Sequence, residues 1–267
     1  MKCSNLIIPI LVSLLFLAGC EQHSEPTADS APVVAAEMAT AAEQPANAIA
    51  DDQVIATILE FDEVETGVEP YRTRMTVSER YIRIDDSAET DGFVLFDREK
   101  KRIFSVVHSN ESILVVDPAR QVEAIPDELK IHAQLVEDDA IPAIAGVQPS
   151  YYQFYANDKL CYHLVAVQGF LPDISTALQA YQRVLAAQQQ ETLLVTPPEL
   201  QTPCFLANYI YAPNEYMSRG FPLEQWDVTG YRRRFTGVEE NVAVDKSLFT
   251  LPEQYRYMSV GSGALQM

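Results

Sequence analysis

The sequence predicts an α+β domain built on a mostly antiparallel sheet with one main helix. Three observations lead there. Short runs rich in β-branched and aromatic residues recur through residues 53–260. One stretch, residues 173–190, carries a sustained helical period. The connectors between the runs are mostly short and polar, which favours hairpins over crossover helices.

The elements follow in order. Residues 1–19 stand outside the fold. Lys2 precedes an apolar run from Leu6 to Leu17, followed by Ala18 and Gly19. That is a secretory signal pattern, too short for a membrane span. Leu17-Ala18-Gly19-Cys20 resembles the lipobox of bacterial lipoproteins. The resemblance implies cleavage before Cys20 and acylation of that residue, so that acyl chains anchor the protein to a membrane it does not cross. Glu21, where Asp would favour inner-membrane retention in such families, points to the outer membrane and its periplasmic side.

Residues 20–52 are then the lipidated Cys and a tether. After Cys20 the segment is rich in Ala, Glu, Pro, Ser and Thr and has no aromatic residue. It buries too little apolar surface to offset its ordering entropy, and as a coil it spans on the order of 30 Å.

The folded domain is expected over residues 53–260, with a tail at 261–267. Val54–Val64 reads as a first strand. Tyr71–Val77 and Arg80–Asp85 read as a hairpin around Ser78-Glu79, with Ile82 and Ile84 on one face and Tyr81 and Arg83 on the other. After an acidic turn at 85–92, Phe93–Phe96, Arg102–Val107 and Ser112–Val116 form a meander. Residues 118–149, with prolines at 118, 126, 142 and 149, read as irregular. Tyr151–Tyr155 and Leu160–Val167 flank a turn at Ala156-Asn157-Asp158-Lys159.

The helix follows. Ile174, Leu178, Tyr181 and Leu185 fall on one face, widened by Ala177 and Val184. Asp173 or Ser175 can cap its start, and Thr196-Pro197-Pro198 ends it. Beyond it, Cys204–Tyr211, Leu223–Val228, Tyr231–Gly237, Asn241–Val244 and a short run near Phe249 read as further strands, roughly ten or eleven in all.

The chain has four cysteines, Cys3, Cys20, Cys161 and Cys204. Removal of Cys3 and lipidation of Cys20 leave an even pair in an oxidising compartment. A Cys161–Cys204 disulfide would staple the helix excursion to the sheet and contribute roughly 4 kcal/mol in the chain-entropy model. A redox or metal pair is the alternative, but there is no Cys-x-x-Cys and no recurring His spacing.

Chemistry-bearing motifs are otherwise lacking. The formal charge of −19 repels phosphates and argues against nucleic-acid binding. No nucleophile elbow, phosphate loop, dinucleotide fingerprint or His-Glu-x-x-His pattern occurs, so no catalytic residue, metal ligand or cofactor is expected and the chain does not read as an enzyme. The acid pairs Asp85-Asp86, Asp138-Asp139 and Glu239-Glu240 point to opposite faces if extended. Arg232-Arg233-Arg234 is a basic cluster, and Arg233 shares a face with Tyr231 and Phe235. Either it ion-pairs with surplus carboxylates, or the three border an aromatic-lined cavity that holds a ligand's acidic group.

The leading strand, the Tyr-x-Arg-Ile-Asp strand at Tyr81–Asp85, the meander over Phe93–Val116 and the closing Phe249–Tyr255 together resemble the LolA/LolB-like periplasmic superfamily. The resemblance implies that the sheet is strongly curved and unclosed, an open half-barrel with the one main helix packed on its concave side, which in that family is plugged by helices and receives acyl chains. The expected function is therefore an outer-membrane-anchored lipoprotein that binds a hydrophobic or lipidated ligand or an envelope protein. The competing expectation is a structural or interaction lipoprotein whose cavity its own helix fills.

Overall fold

The structure is a computed structural model and describes residues 50–86, 91–118, 124–137, 141–144 and 146–259. The expected signal segment, Cys20, nearly all of the expected tether, Asp138-Asp139 and the 261–267 segment lie outside the described residues.

A single open, curved sheet of twelve strands organises the domain. Its first wing is β1 (Gln53–Glu65), β2 (Val68–Ser78), β3 (Tyr81–Asp85), β4 (Gly92–Asp97), β5 (Arg102–Val107) and β6 (Ser112–Val116). Each pairs antiparallel with the next, as short polar turns dictate. The second wing is β7 (Ile131–Val136), β8 (Ser150–Ala156), β9 (Lys159–Val167), β10 (Phe221–Asp227) and β11 (Arg232–Asp245). The wings join where β11 pairs antiparallel with β1. A last strand, β12 (Arg256–Ser259), runs parallel to β6 at one edge, and β7 forms the other edge.

Several expectations on the C-terminal side are corrected. Tyr231–Gly237 and Asn241–Val244 are one strand, β11, with irregularities opposite Ala56/Ile58 and Glu60/Phe61. Asn241, at φ 59°, sits at the first of these, where the chain has extra residues to absorb. The run near Phe249 is a 3₁₀ turn, Lys246–Phe249, whose Ser247 N–H donates to Asp245 Oδ1 at 2.7 Å. Residues 131–136, read as irregular, form an edge strand.

Cys204–Tyr211 is helical, not extended. Thr202 Oγ1 accepts from the Phe205 N–H at 3.2 Å and Pro203 occupies the first turn of α2 (Pro203–Phe205), which continues as a π-helix, Leu206–Tyr211. Its β-favouring composition is overridden by packing: Ala207 and Ile210 are buried.

The long helix α1 (Pro172–Thr192) buries Ile174, Ala177, Leu178, Tyr181, Val184 and Leu185, the face its periodicity predicts. Its N-cap is Leu171 in the left-handed region, with no side-chain cap from Asp173 or Ser175. Tyr181 meets Phe96 of β4 edge-on at 5.6 Å.

Register places the two faces. Phe96, Ile82 and Val77 share the face that α1 covers. The same face carries Glu63, Arg233, Gln225, Leu164 and Tyr152 side by side from β1 to β8. Here α2 and the π-helix pack on Tyr152, Phe154, Tyr162 and Leu164. The opposite face of the first wing has its own small core, in which Phe93, Leu95, Val106 and Ile113 lie under Leu248, Phe249 and Tyr255 of the C-terminal segment. Arg83, on that face as its alternation requires, stacks on Phe93 at 3.8 Å and bonds Asp85 and the Leu248 carbonyl.

Candidate functional site

A groove of about 820 Å³ opens where α1 begins, between the β1–β3 end of the sheet and the 3₁₀ turn at Lys246–Phe249. Its apolar lining includes Val54, Ala56, Val77, Ile174 and Phe249. Its volume falls in the range of small-molecule sites. Each flank comes from a local rule. The tight β2–β3 turn projects Arg80, the β4–β5 turn projects Arg98, and Asp245 capping places Lys246 at the first position of the 3₁₀ turn.

Three cations line this groove, Arg80, Arg98 and Lys246, beside the acids Glu79 and Asp173. Arg80 is matched by Asp97 at 3.3 Å and Glu99 at 3.6 Å. The other two hold backbone carbonyls: Arg98 Nη1 donates to Ser78 O at 2.6 Å and Lys246 Nζ to Asp51 O at 2.5 Å. Among the described residues neither has a carboxylate within ion-pair distance. In a chain with 38 acids and 19 Lys and Arg, two cations without carboxylate partners at one groove mark it as receptive to an anion.

Of the helix residues whose packing decides whether the sheet is self-filled, Leu178, Tyr181 and Leu185 are buried away from this groove, and Ile174 lines it. A second cavity of about 770 Å³ lies along α1 beside the π-helix, lined by Ala180, Val184, Ala187, Ile210 and Pro213, with Lys101 and Arg183.

The trio singled out from the sequence sits elsewhere on the helix-covered face. Arg233 Nε is 3.5 Å from Glu63 Oε1, and its guanidinium lies 3.9 Å over the Phe61 ring. Tyr231 Oη donates to Glu63 Oε2 at 3.2 Å, and Tyr71 Oη donates to Glu63 at 3.4 Å and to Glu65. Burial pulls the Arg233 pKa down, but Glu63 together with Tyr231, Tyr216 and Tyr71 more than offsets this and leaves it raised. Burial, with Glu63 beside it, pushes the Tyr231 hydroxyl well above its usual value, so it remains a donor. Burial also raises Tyr216, to about 12. Phe235 packs edge-on against Phe61, Phe170 and Phe221. Arg233 is thus an internally paired cation beside an aromatic cluster.

Cys161 and Cys204 form a disulfide with Cα atoms 5.2 Å apart. A register shift between Phe154 and Tyr155 leaves Cys161 as the unpaired residue of β9 and lets it reach α2. Among the described residues no group of three or more His, Cys, Asp and Glu is arranged to hold a metal ion, and no helix is long and apolar enough to cross a membrane.

Sequence reasoning missed the groove because its cations come from three separate turns. Arg80 and Arg98 flank hairpins and read as ordinary turn residues, and no spacing brings Lys246 beside them. The β1–β11 pairing does so.

No family model and no curated protein matches the chain. Among solved structures it aligns with an uncharacterized conserved protein from Thermus thermophilus, at 7% identity and a TM-score of 0.40, over 77% of this chain and 91% of that one. A structure of PNGF-II in a C2 crystal form aligns at 10% identity and a TM-score of 0.36, over 78% of this chain and 31% of that one. Its P21 form aligns at 8% identity and 0.37, over 77% and 31%.

Proposed function

We propose that the chain is an outer-membrane-anchored periplasmic lipoprotein of LolA/LolB-like architecture that binds an anionic amphiphile, an acyl chain with an acidic head. In this reading α1 and the α2/π-helix segment occupy the concave side of the sheet, and the ligand enters the groove at the head of α1. The acyl chain lies against Ile174, Val77 and Phe249, and the head meets Arg98 and Lys246. The observation that carries the reading is that these two cations, at the mouth of an apolar groove, hold only carbonyl oxygens. No bond-making step is assigned.

The test is direct. Full-length protein is extracted from membranes, its bound lipids are read by mass spectrometry, and binding of a fluorescent fatty acid is titrated. An Arg98→Ala/Lys246→Ala variant is expected to bind about tenfold more weakly, and wild-type binding is expected to weaken with salt. Absence of bound lipid together with absence of probe binding would overturn the proposal.

One observation favours a second reading, a structural lipoprotein whose own helix fills the sheet. Leu178, Tyr181 and Leu185 are all nearly inaccessible. That reading expects Ile174→Trp, which fills the groove, to leave every phenotype unchanged. The ligand reading expects it to block probe uptake.

A further inference from the structure

The face of the sheet turned away from α1 divides into two chemically different parts. Over β1, β2 and β11 it is an ion-pair ladder in which Asp62 meets both Arg72 and Arg234, and Arg232 meets Glu224 on β10. Over β7 to β10 it is a strip of aromatic rings and an amide: Trp226, His163, Tyr151, Gln153, Tyr155 and His132. In a protein of charge −19, such a strip is a local exception.

The strip is built rather than scattered. The Trp226 indole lies parallel to the His163 imidazole, 4.8 Å between centroids and 4° between planes. Tyr151 is 5.7 Å from Trp226 at 19°, and its hydroxyl is 2.6 Å from His163 Nδ1. Gln153 joins the two tyrosines: its amide nitrogen donates to Tyr151 Oη at 3.4 Å, and its oxygen accepts from Tyr155 Oη at 2.8 Å. Tyr155 stacks on His132 at 5.0 Å and 5°. His132 is exposed and the other five are partly exposed. Burial lowers the His163 pKa, which keeps its ring neutral at pH 7.

The chemistry of the strip selects its ligand. The six residues include no Lys or Arg to hold an anion. None of the six residues offers a carboxylate to a cation. Near-parallel rings joined by hydroxyl and amide groups suit a molecule with apolar C–H faces and many hydroxyls. Tyr151 and Tyr155 are four residues apart on one strand, about 13 Å, which calls for an oligomer rather than a single ring. We propose that this strip is a binding site for a neutral oligosaccharide, with sugar rings lying against Trp226 and Tyr155 and hydroxyls bonding Gln153 and the tyrosines.

Trp226 is the only tryptophan in the chain, so its emission reports on the strip alone. Full-length protein is titrated with neutral β-1,4-linked hexasaccharides of glucose and of N-acetylglucosamine, by calorimetry and by emission. The expected result is a saturable signal with one of them, insensitive to salt. Tyr155→Ala, which leaves Trp226 in place, should weaken binding about tenfold. Trp226→Phe, followed by calorimetry, supplies a second variant in case Tyr155→Ala does not fold. Arg98→Ala/Lys246→Ala, at the groove, should leave sugar binding unchanged. The proposal is overturned by no saturable signal with either sugar up to about 10 mM, well beyond the millimolar range of weak specific binding. It is equally overturned by binding that persists at full strength in the folded variants.

Discussion

Arg233 and Glu63 illustrate how single residues set energetics here. Both lie on the helix-covered face, the carboxylate 6% exposed and the guanidinium 18%. Separating such a pair leaves one charge uncompensated, a loss of about 3–5 kcal/mol. Glu63→Gln and Arg233→Met are each expected to lower stability by that order in urea unfolding. The double variant should lose far less than the sum, and additive losses would show that the two are uncoupled. His163 gives a second test. Because its folded pKa is depressed below the unfolded value of about 6.5, the unfolded chain binds its proton first as pH falls. Its stability contribution is therefore complete above about pH 6.5 and declines below it. Trp226 emission should change on acidification with a midpoint below about 6.5, as the stacked imidazole charges, and His163→Gln should abolish that transition.

Elements show where local patterning suffices and where it does not. The first wing was legible because Ile82, Ile84 and the Phe93–Val116 runs alternate or cluster between turns only hairpins can use. Helix α1 was legible from one apolar face at the helical period. The 204–211 segment was not, since Phe, Leu, Tyr and Ile in a short run suit a strand as well as a buried helix. Its state is set by the Thr202 cap and its packing on β8 and β9. Of the candidate sites, the Cys161–Cys204 bridge was readable by elimination among four cysteines, whereas the groove needs residues 80, 98 and 246 brought together. The bridge spans 43 residues that include α1. Replacing both cysteines with Ser should cost about 2–5 kcal/mol. Calorimetric melting checks this, and an unchanged melting temperature would mean that packing alone holds α2 to the sheet.

For the whole molecule, the proposed anchoring rests on Cys20, through which acyl chains would hold an acidic domain at a membrane. Cys20→Ser should move the protein from the membrane pellet to the soluble fraction, and metabolic labelling with an alkynyl fatty acid should mark wild type but not the variant. Retention of the variant in the pellet would require another attachment.

The meeting of β1 with β11 has a consequence for biogenesis. Residues 53–116 can zip up as successive hairpins as soon as they have been synthesised, and so can residues 131–167. The seam between the two halves needs residues 232–245, near the end of the polypeptide. Until those residues arrive, the β1 edge stands bare, a template for a strand from any neighbouring chain. The hazard is greatest while the chain is still incomplete, and a chaperone that shields extended segments would have its main work in that interval.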